Sequence, residues 1–325
     1  MGDNTILQVN QLSAGYDTKA GFVKAVDDVS FSLKKGAFLG IAGESGCGKS
    51  TLAYAIMNLL RDNGLIQSGS VSLNEAEISK LNRFKMKKIR WVDLSMVFQS
   101  AMNALNPVLK IGEQLTDAMH AHKTITRKDA ERRARDVLEL VDIKGDRYDS
   151  YPHQLSGGMK QRVMIAMALI LQPDLIIMDE PTTALDVVVQ RTIIEKIQEL
   201  QRSFDFSIIF ITHDLSLLVE ISDQLAIMYA GRIVESGSSS EVFNNPLHPY
   251  TVGLMSAFPA LTGPIRRMEG IEGKPPDLLN PPVGCRFAPR CKKAIPICSK
   301  EYPSRFNRSD AHYVNCHLFN ETEGR

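Results

Sequence analysis

The sequence predicts an α/β fold built around a phosphate-binding loop, with a small irregular extension at its C-terminal end. Three observations predict it. An apolar run, Phe38–Ala42, leads into Gly43-Glu44-Ser45-Gly46-Cys47-Gly48-Lys49-Ser50-Thr51, and a second apolar run of helical length, Leu52–Leu60, follows. That order is strand, glycine-rich turn, helix. A second buried strand, Leu175–Met178, ends in the paired carboxylates Asp179-Glu180 and is closed by Pro181. Beyond residue 235 the composition changes: nine of the fifteen prolines lie between Pro259 and Pro303, and four of the five cysteines are Cys285, Cys291, Cys298 and Cys316.

At 325 residues the chain is too long for one small core, which suggests one large domain with an appendage. Hydrophobic residues at 44% and charged residues at 23% are ordinary for a globular protein. The 38 basic and 37 acidic side chains leave a net charge of +1, which argues against a nucleic-acid binder that relies on bulk positive charge. No apolar run approaches a membrane span; the longest near the middle, Val163–Leu171, stops at Gln172-Pro173. Met1–Asn10 has neither a basic leader nor an apolar signal segment, so a cytoplasmic location is expected, with any membrane role supplied by a partner.

The loop needs the residue types it has. Glycines let successive N–H groups curl towards a polyphosphate where a side chain would block the approach. The helix N-terminus adds partial positive charge, Lys49 reaches the terminal phosphates, and Ser50 offers a hydroxyl to Mg²⁺. Upstream, Ile6–Leu12 and Val26–Leu33 alternate as strands, with Lys34-Lys35-Gly36 turning into the loop strand. Tyr16 falls between the two; a strand-end aromatic and a base-stacking ring fit it equally. Val71–Leu73 suggests another strand. Arg83–Arg90 carries five basic residues in eight, which reads as a solvated helix face before it reads as a phospholipid contact. Ser95–Gln99 is a buried strand ending on a glutamine.

From Leu105 to Tyr148 the period becomes helical, with Ala130, Ala134, Val137, Leu138 and Val141 on one face and Thr126 with Asp129 as an N-terminal capping pair. Leu155-Ser156-Gly157-Gly158-Met159-Lys160-Gln161-Arg162 opens a long helix through Leu169, with Ser156 as the cap. That is a second anion-binding arrangement, although in isolation an ordinary helix cap is the stronger reading. The strand Leu175–Met178 can deliver Asp179 to a metal at its carboxyl end, and Glu180 is placed to polarise water. A further strand, Ile208–Ile211, ends at Thr212-His213-Asp214, where His213 is a structural or a functional residue. Ser238 and Glu241 cap a short helix that stops before Pro246.

Together these residues resemble one family, the nucleotide-binding subunits of ATP-binding cassette (ABC) transporters. Gly43–Ser50 resembles the Walker A loop, Gln99 the Q-loop, Leu155–Gln161 the signature sequence, Leu175–Glu180 the Walker B strand, Ala184-Leu185-Asp186 the D-loop and His213 the switch histidine. No Asn-Lys-x-Asp guanine motif is present. The remainder is similar to the oligopeptide/dipeptide and nickel importer branch, on His248-Pro249-Tyr250-Thr251, on Gly284-Cys285-Arg286-Phe287-Ala288-Pro289-Arg290-Cys291, and on Leu105-Asn106-Pro107 with Ile111-Gly112. Cys47 and Thr183 depart from the commoner serine, and neither change removes a group expected to contact phosphate or metal.

The resemblance implies a P-loop NTPase of ABC-cassette fold: a RecA-like core sheet, N-terminal antiparallel strands and a helical subdomain at about 103–170, within a nucleotide-binding domain at 1–235. An oligopeptide-transporter extension at 236–325 follows. It implies an ATPase that powers uptake of di- or oligopeptides, or a related solute such as a sugar or nickel, through two integral membrane permeases. The subunit would lie peripherally on the cytoplasmic face of the membrane, and an extracytoplasmic binding protein would deliver the solute. Two cassettes would pack head to tail, a sister chain being implied and an identical copy the alternative; no nucleic acid is expected. The implied ATP contacts are Tyr16, Gly43, Ser45, Gly46, Cys47, Gly48, Lys49, Ser50, Thr51 and Asp186, with Ser156, Gly157 and Gly158 serving the partner's nucleotide. Mg²⁺ falls to Ser50, Gln99 and Asp179; Glu180, His213 and Gln99 carry the chemistry. Cys47, at a helix N-terminus beside Lys49, is expected to have thiolate character and to react with alkylating reagents.

The four late cysteines are separated by gaps of five, six and seventeen residues, without the two-residue pairs usual in zinc ribbons. A reducing cytosol disfavours disulfides. Relatives in the branch carry an iron–sulfur cluster, so a [4Fe–4S] group on Cys285, Cys291, Cys298 and Cys316 ranks first, zinc second and free thiols third. The rival function is a soluble cassette ATPase acting on DNA or ribosomes. Only 129 residues separate Lys49 from Asp179, no heptads run through them, and there is one Walker A loop, all of which weigh against it. A non-catalytic regulatory module is a third reading, opposed by Glu180 and His213.

Overall fold

A computed structural model describes residues 4–99, 104–183, 185–256 and 270–320. The chain runs through β1 (Thr5–Thr18), β2 (Gly21–Lys34), β3 (Phe38–Ala42), α1 (Lys49–Ile56), β4 (Gly64–Leu73) and β5 (Ala76–Glu77). Next come α2 (Arg83–Ile89), β6 (Leu94–Val97), α3 (Ile111–His122), α4 (Arg127–Leu140), α5 (Gly157–Leu169) and β7 (Leu175–Asp179). It continues with α6 (Val187–Phe204), β8 (Ser207–Ile211), α7 (Leu215–Ile221), β9 (Gln224–Tyr229), β10 (Arg232–Ser238), α8 (Ser239–Asn244) and α9 (Pro249–Ser256). It closes with β11 (Arg305–Asn307), β12 (Tyr313–Asn315) and α10 (His317–Asn320). Among the described residues no helix is long and apolar enough to cross a membrane. Two compact units result, one from residues 1–6, 33–37 and 80–210, the other from 7–32, 38–79 and 211–325.

In the first unit β6 and β7 pair in parallel, with Ser95 opposite Ile176 and Val97 opposite Met178, and β8 flanks β7. Every residue of β7 and β8 is buried. A strand covered on both faces has no polar side to show, which is why these segments read as unbroken apolar runs. The helical block follows its sequence pattern closely. Thr126 Oγ1 accepts the Asp129 N–H at 3.1 Å, and Ala130, Ala134, Val137, Leu138 and Val141 are all buried. Gly112 of α3 lies flat on Tyr148, whose ring would stand 2.3 Å from any Cβ placed there. Residue 103, where the helical subdomain was expected to start, is outside the described residues.

In the second unit β2, β1, β4 and β5 form an antiparallel sheet, and β11, β12, β10, β9 and β3 lie side by side in that order. The pairing of β3 with β9 is parallel, Leu39 opposite Gln224 and Ile41 opposite Ala226. Two expectations change here. The first two strands are longer than their alternating stretches, and Tyr16 lies within β1, opposite Gly64, not between strands. Gln11 takes φ 45° at a register shift between Asn10 and Ser13, with its N–H given to Ser30 Oγ at 2.7 Å. That bulge flips the alternation, so a period-two reading stops there. The extension is also more regular than its prolines suggest. Its hairpin of β11 and β12 adds to β10, Glu235 pairing with Val314 and Ser236 with Tyr313. Strands of three residues are too short for a periodic signal.

Buried carboxylates fasten the extension within the second unit. Asp27 on β2 receives the Arg232 guanidinium at 2.8 Å and the Arg286 guanidinium, with Lys24 at 3.2 Å. Burial by itself would raise the Asp27 pKa, but the two arginines overcome it and hold the carboxyl below its ordinary value. Glu235, fully buried, accepts the backbone N–H groups of Leu247 and His248 at 2.8 Å each and lies 2.8 Å from His312 Nε2.

Replacing Asp27 by Ala leaves two guanidinium groups facing a site without its carboxylate, and a loss of about 3 kcal/mol is expected in urea unfolding. In the unsubstituted chain that stabilisation is complete above the unfolded carboxylate value of about 4. It disappears as pH falls through the lowered folded value. A flat pH dependence of the difference between the two chains across that window would refute the assignment.

Candidate nucleotide site

In the second unit the strand β3 ends at Ala42 and the loop begins at once. Gly43 has φ 156°, and a Cβ on it would lie 2.1 Å from the Met228 carbonyl oxygen; Gly48 has φ 106°, and its Cβ would lie 2.0 Å from the Ala25 carbonyl oxygen. Only glycine fits either place. Gly46, at φ 78°, has open space where a Cβ would stand. Cys47 N–H donates to the Glu44 carbonyl at 3.2 Å, and Gly231 N–H to the Cys47 carbonyl at 2.8 Å, which tie the loop to itself and to the turn after β9. Lys49 is buried and its Nζ donates to the carbonyl oxygens of Gly43 at 2.7 Å and Glu44 at 2.9 Å. Ser45 and Gly46 are exposed, and Ser50 and Thr51 are half-buried in the first turn of α1. An ammonium, a hydroxyl and a curled run of amides at a helix N-terminus form a donor set suited to a polyphosphate with its cation.

The Cys47 side chain is 1% exposed. Burial pushes its thiol pKa up, against the opposing pull of Lys49, so the expected reactive thiolate is replaced by a protonated buried thiol. Helix-end charge lowers a thiol only where solvent can support the anion.

In the first unit β7 delivers Asp179, fully buried, and Glu180, which turns away at φ 46°. A non-glycine residue in that region is held by its neighbours. Gln99 Nε2 donates to Glu180 Oε2 at 2.9 Å, and Thr183 Oγ1 to the same oxygen at 3.1 Å. Ser156 caps α5, accepting the Met159 N–H at 3.3 Å, with Ser156 and Gly157 exposed. Gly158 packs on Val189, whose Cγ1 would be 2.8 Å from a Cβ. Asp186 caps α6 through the Val189 N–H at 2.9 Å. Ala184, in the expected D-loop, is outside the described residues. In the second unit Tyr16 is half-buried on β1, and His213 is exposed just beyond β8.

Cys285, Cys291, Cys298 and Cys316 line one small cavity together with His248 and His317. None is in a disulfide. Burial raises Cys285 and Cys316 to about 11 and raises Cys291 as well. His248 Nδ1 accepts the Tyr250 N–H at 3.0 Å, so its proton sits on Nε2, which is buried with no partner among the described residues. Burial pushes this imidazole down to about 3, so it is neutral at physiological pH. Four thiols and an unsatisfied N–H donor around one void suit a sulfur-rich group. Among the described residues, no group of three or more His, Cys, Asp or Glu side chains is arranged to hold a single metal ion.

Two residues around the loop were not singled out by the motif. Tyr250 Oη accepts the Glu44 N–H at 2.9 Å, and Arg290 grips the Glu44 carboxylate. Both lie more than two hundred residues from Gly43 in the chain, so no spacing rule links them to it; the only sequence signal was their place in the family-like segments of the extension.

The native chain should label slowly at Cys47 with iodoacetamide at pH 7.5 and quickly once unfolded. Equal rates in the two states, followed by peptide mapping, would contradict the burial described above.

Comparison with known proteins fits this geometry. The ABC transporter family profile matches residues 26–183, and that of the oligopeptide/dipeptide transporter C-terminal region matches residues 234–298. The chain is 45% identical over 316 residues to the dipeptide transport ATP-binding protein DppD of Bacillus subtilis, covering 96% of this chain and 94% of that one. It is 46% identical over 302 residues to the oligopeptide transport ATP-binding protein OppD of Escherichia coli, covering 92% and 89%. Among solved structures, the dimeric ABC transporter cassette MJ0796 aligns with a TM-score of 0.65 at 25% identity, over 72% of this chain and 99% of that one. The chain therefore belongs to the ATP-binding subunits of ABC transporters, in the branch that carries the oligopeptide/dipeptide transporter C-terminal region.

Proposed function

We propose that the chain hydrolyses ATP to power uptake of di- or oligopeptides through separate membrane permeases. The observation that carries the reading is Glu180, a carboxylate at the end of a buried strand, oriented by Gln99 and Thr183 in a chain whose phosphate loop is intact. Phosphoryl transfer to water is mostly positioning and charge stabilisation. Lys49 and the loop amides take the phosphates, Glu180 polarises the attacking water, and His213 contacts the γ-phosphate. Ser50, Gln99 and Asp179 would hold Mg²⁺, which would supply charge neutralisation of the phosphates. Tyr16 stacks on adenine, a contact of weak base selectivity.

The cassette comprises residues 1–235 and the transporter extension 236–325. Ser156, Gly157 and Gly158 act on a partner's nucleotide: a helix N-terminus with exposed amides and no phosphate loop of its own is half of a site. The solved dimer of a related cassette supports that reading. A sister chain is the expected partner. The subunit sits at the cytoplasmic face through its permeases, while an extracytoplasmic binding protein selects the solute. The cysteine cavity takes a [4Fe–4S] cluster in a structural role, supported by the four thiols and the His248 N–H around one void; zinc is the alternative.

Glu180→Gln should keep ATP binding while hydrolysis falls by about two orders of magnitude, the size of a general-base contribution; unaltered turnover would remove Glu180 from that role. In the complex with its permeases, Ser156→Arg should abolish hydrolysis although the phosphate loop is untouched, and full activity as a strict monomer would sink the two-chain site. Anaerobically purified protein should be brown, with iron and acid-labile sulfide in equal amounts. A colourless, zinc-loaded chain would reverse the cysteine assignment.

A further inference from the structure

The extension reaches the phosphate loop at Glu44, where it engages the carboxylate and the backbone N–H. Arg290 Nη1 and Nη2 donate to the two carboxylate oxygens of Glu44 at 2.7 and 3.0 Å, a fork-on-fork pair. Tyr250 Oη accepts the Glu44 N–H at 2.9 Å, and the Glu44 carbonyl takes Lys49 Nζ at 2.9 Å. The Arg290 side chain is 6% exposed and that of Glu44 25%, so this pair is shielded in a way that surface pairs are not.

Both partners are fixed from behind. Arg290 also donates to the carbonyls of Glu272 at 2.9 Å and Ile271 at 3.2 Å, and to Tyr229 Oη at 3.2 Å. The Tyr250 ring, fully buried, packs on Tyr229 with centroids 4.6 Å apart and on Phe287 at 5.4 Å. Tyr250 follows His248, whose backbone N–H is held by buried Glu235; Arg290 immediately precedes Cys291 of the cysteine cavity.

Glu44 poses a problem that these contacts solve. It puts a carboxylate inside a loop whose donors suit a polyphosphate, and like charges at that range repel. A bidentate guanidinium cancels the charge and turns the carboxylate away. Tyr250 meanwhile occupies the one loop N–H on Glu44, which fixes the tilt of the peptide that starts the curl.

We propose that Arg290 and Tyr250 are positioning residues for nucleotide binding: through Glu44 they neutralise and orient the phosphate loop, so that ATP affinity depends on the C-terminal extension. This rests on the reading that the loop binds ATP.

The test is calorimetric titration of the full chain with Mg-ATP, with turnover measured in the assembled complex. Arg290→Ala should weaken ATP binding by about tenfold and raise KM while kcat at saturation changes by less than about twofold, the loss expected for one charged hydrogen-bonded pair. Adding Glu44→Gln to Arg290→Ala should restore affinity to within about threefold, because the uncompensated charge is then gone. Arg290→Lys should fall between, and Tyr250→Phe should weaken binding by a few-fold without a change in the chain's far-ultraviolet spectrum. Unchanged affinity in Arg290→Ala overturns the inference, and so does a double variant no better than the single one, since a purely structural loss would not be rescued at Glu44. A wild-type chain that binds no Mg-ATP would overturn the proposed function and this inference with it, whereas normal wild-type binding with an insensitive Arg290→Ala overturns this inference alone.

Discussion

The loop from Gly43 to Lys49 lies so close to neighbouring backbone that two of its residues can have no side chain. Gly43 is pressed on the Met228 carbonyl and Gly48 on the Ala25 carbonyl, both with φ values that suit glycine. That steric constraint sets the curl, the curl sets which amides face outward, and those amides with Lys49 create the anion site. Met228 belongs to β9 and Ala25 to β2, and Arg286 of the extension holds both neighbourhoods, donating to Asp27 on β2 and to the Ala230 carbonyl just after β9.

Buried carboxylates carry the architecture of the second unit. Asp27 and Glu235 are nearly or wholly excluded from water, and each collects donors from segments far apart in the chain. Such groups are costly to bury alone and are tolerated when every lone pair has a partner. The arrangement makes the extension part of the structure that backs the phosphate loop, not a tether hanging from it. Glu44 shows the same logic closer to the chemistry, with an acidic side chain accepted in an anion site because a planar cation is locked against it.

The first unit uses a different device. Its strands β7 and β8 are apolar over Leu175–Met178 and Ile208–Ile211 and then give way to polar residues, which places Asp179 and Glu180 at the carboxyl end of a buried strand. Glu180 in the left-handed region, with Gln99 and Thr183 on one carboxylate oxygen, is a residue whose orientation is imposed by its surroundings.

Much of this is legible in the sequence alone. Buried strands read as apolar runs because both faces are covered; caps such as Thr126, Ser156 and Ser238 read from local hydrogen-bond chemistry; the loop read from glycine sterics. Each of these depends on residues within a few positions of one another. The β1 bulge at Gln11, the short strands β11 and β12, the burial that keeps Cys47 protonated, and the grip of Arg290 and Tyr250 on Glu44 were decided by tertiary structure alone. Composition can supply a carboxylate or a guanidinium, but whether the two meet, and whether water reaches them, depends on segments hundreds of residues apart folding onto one another.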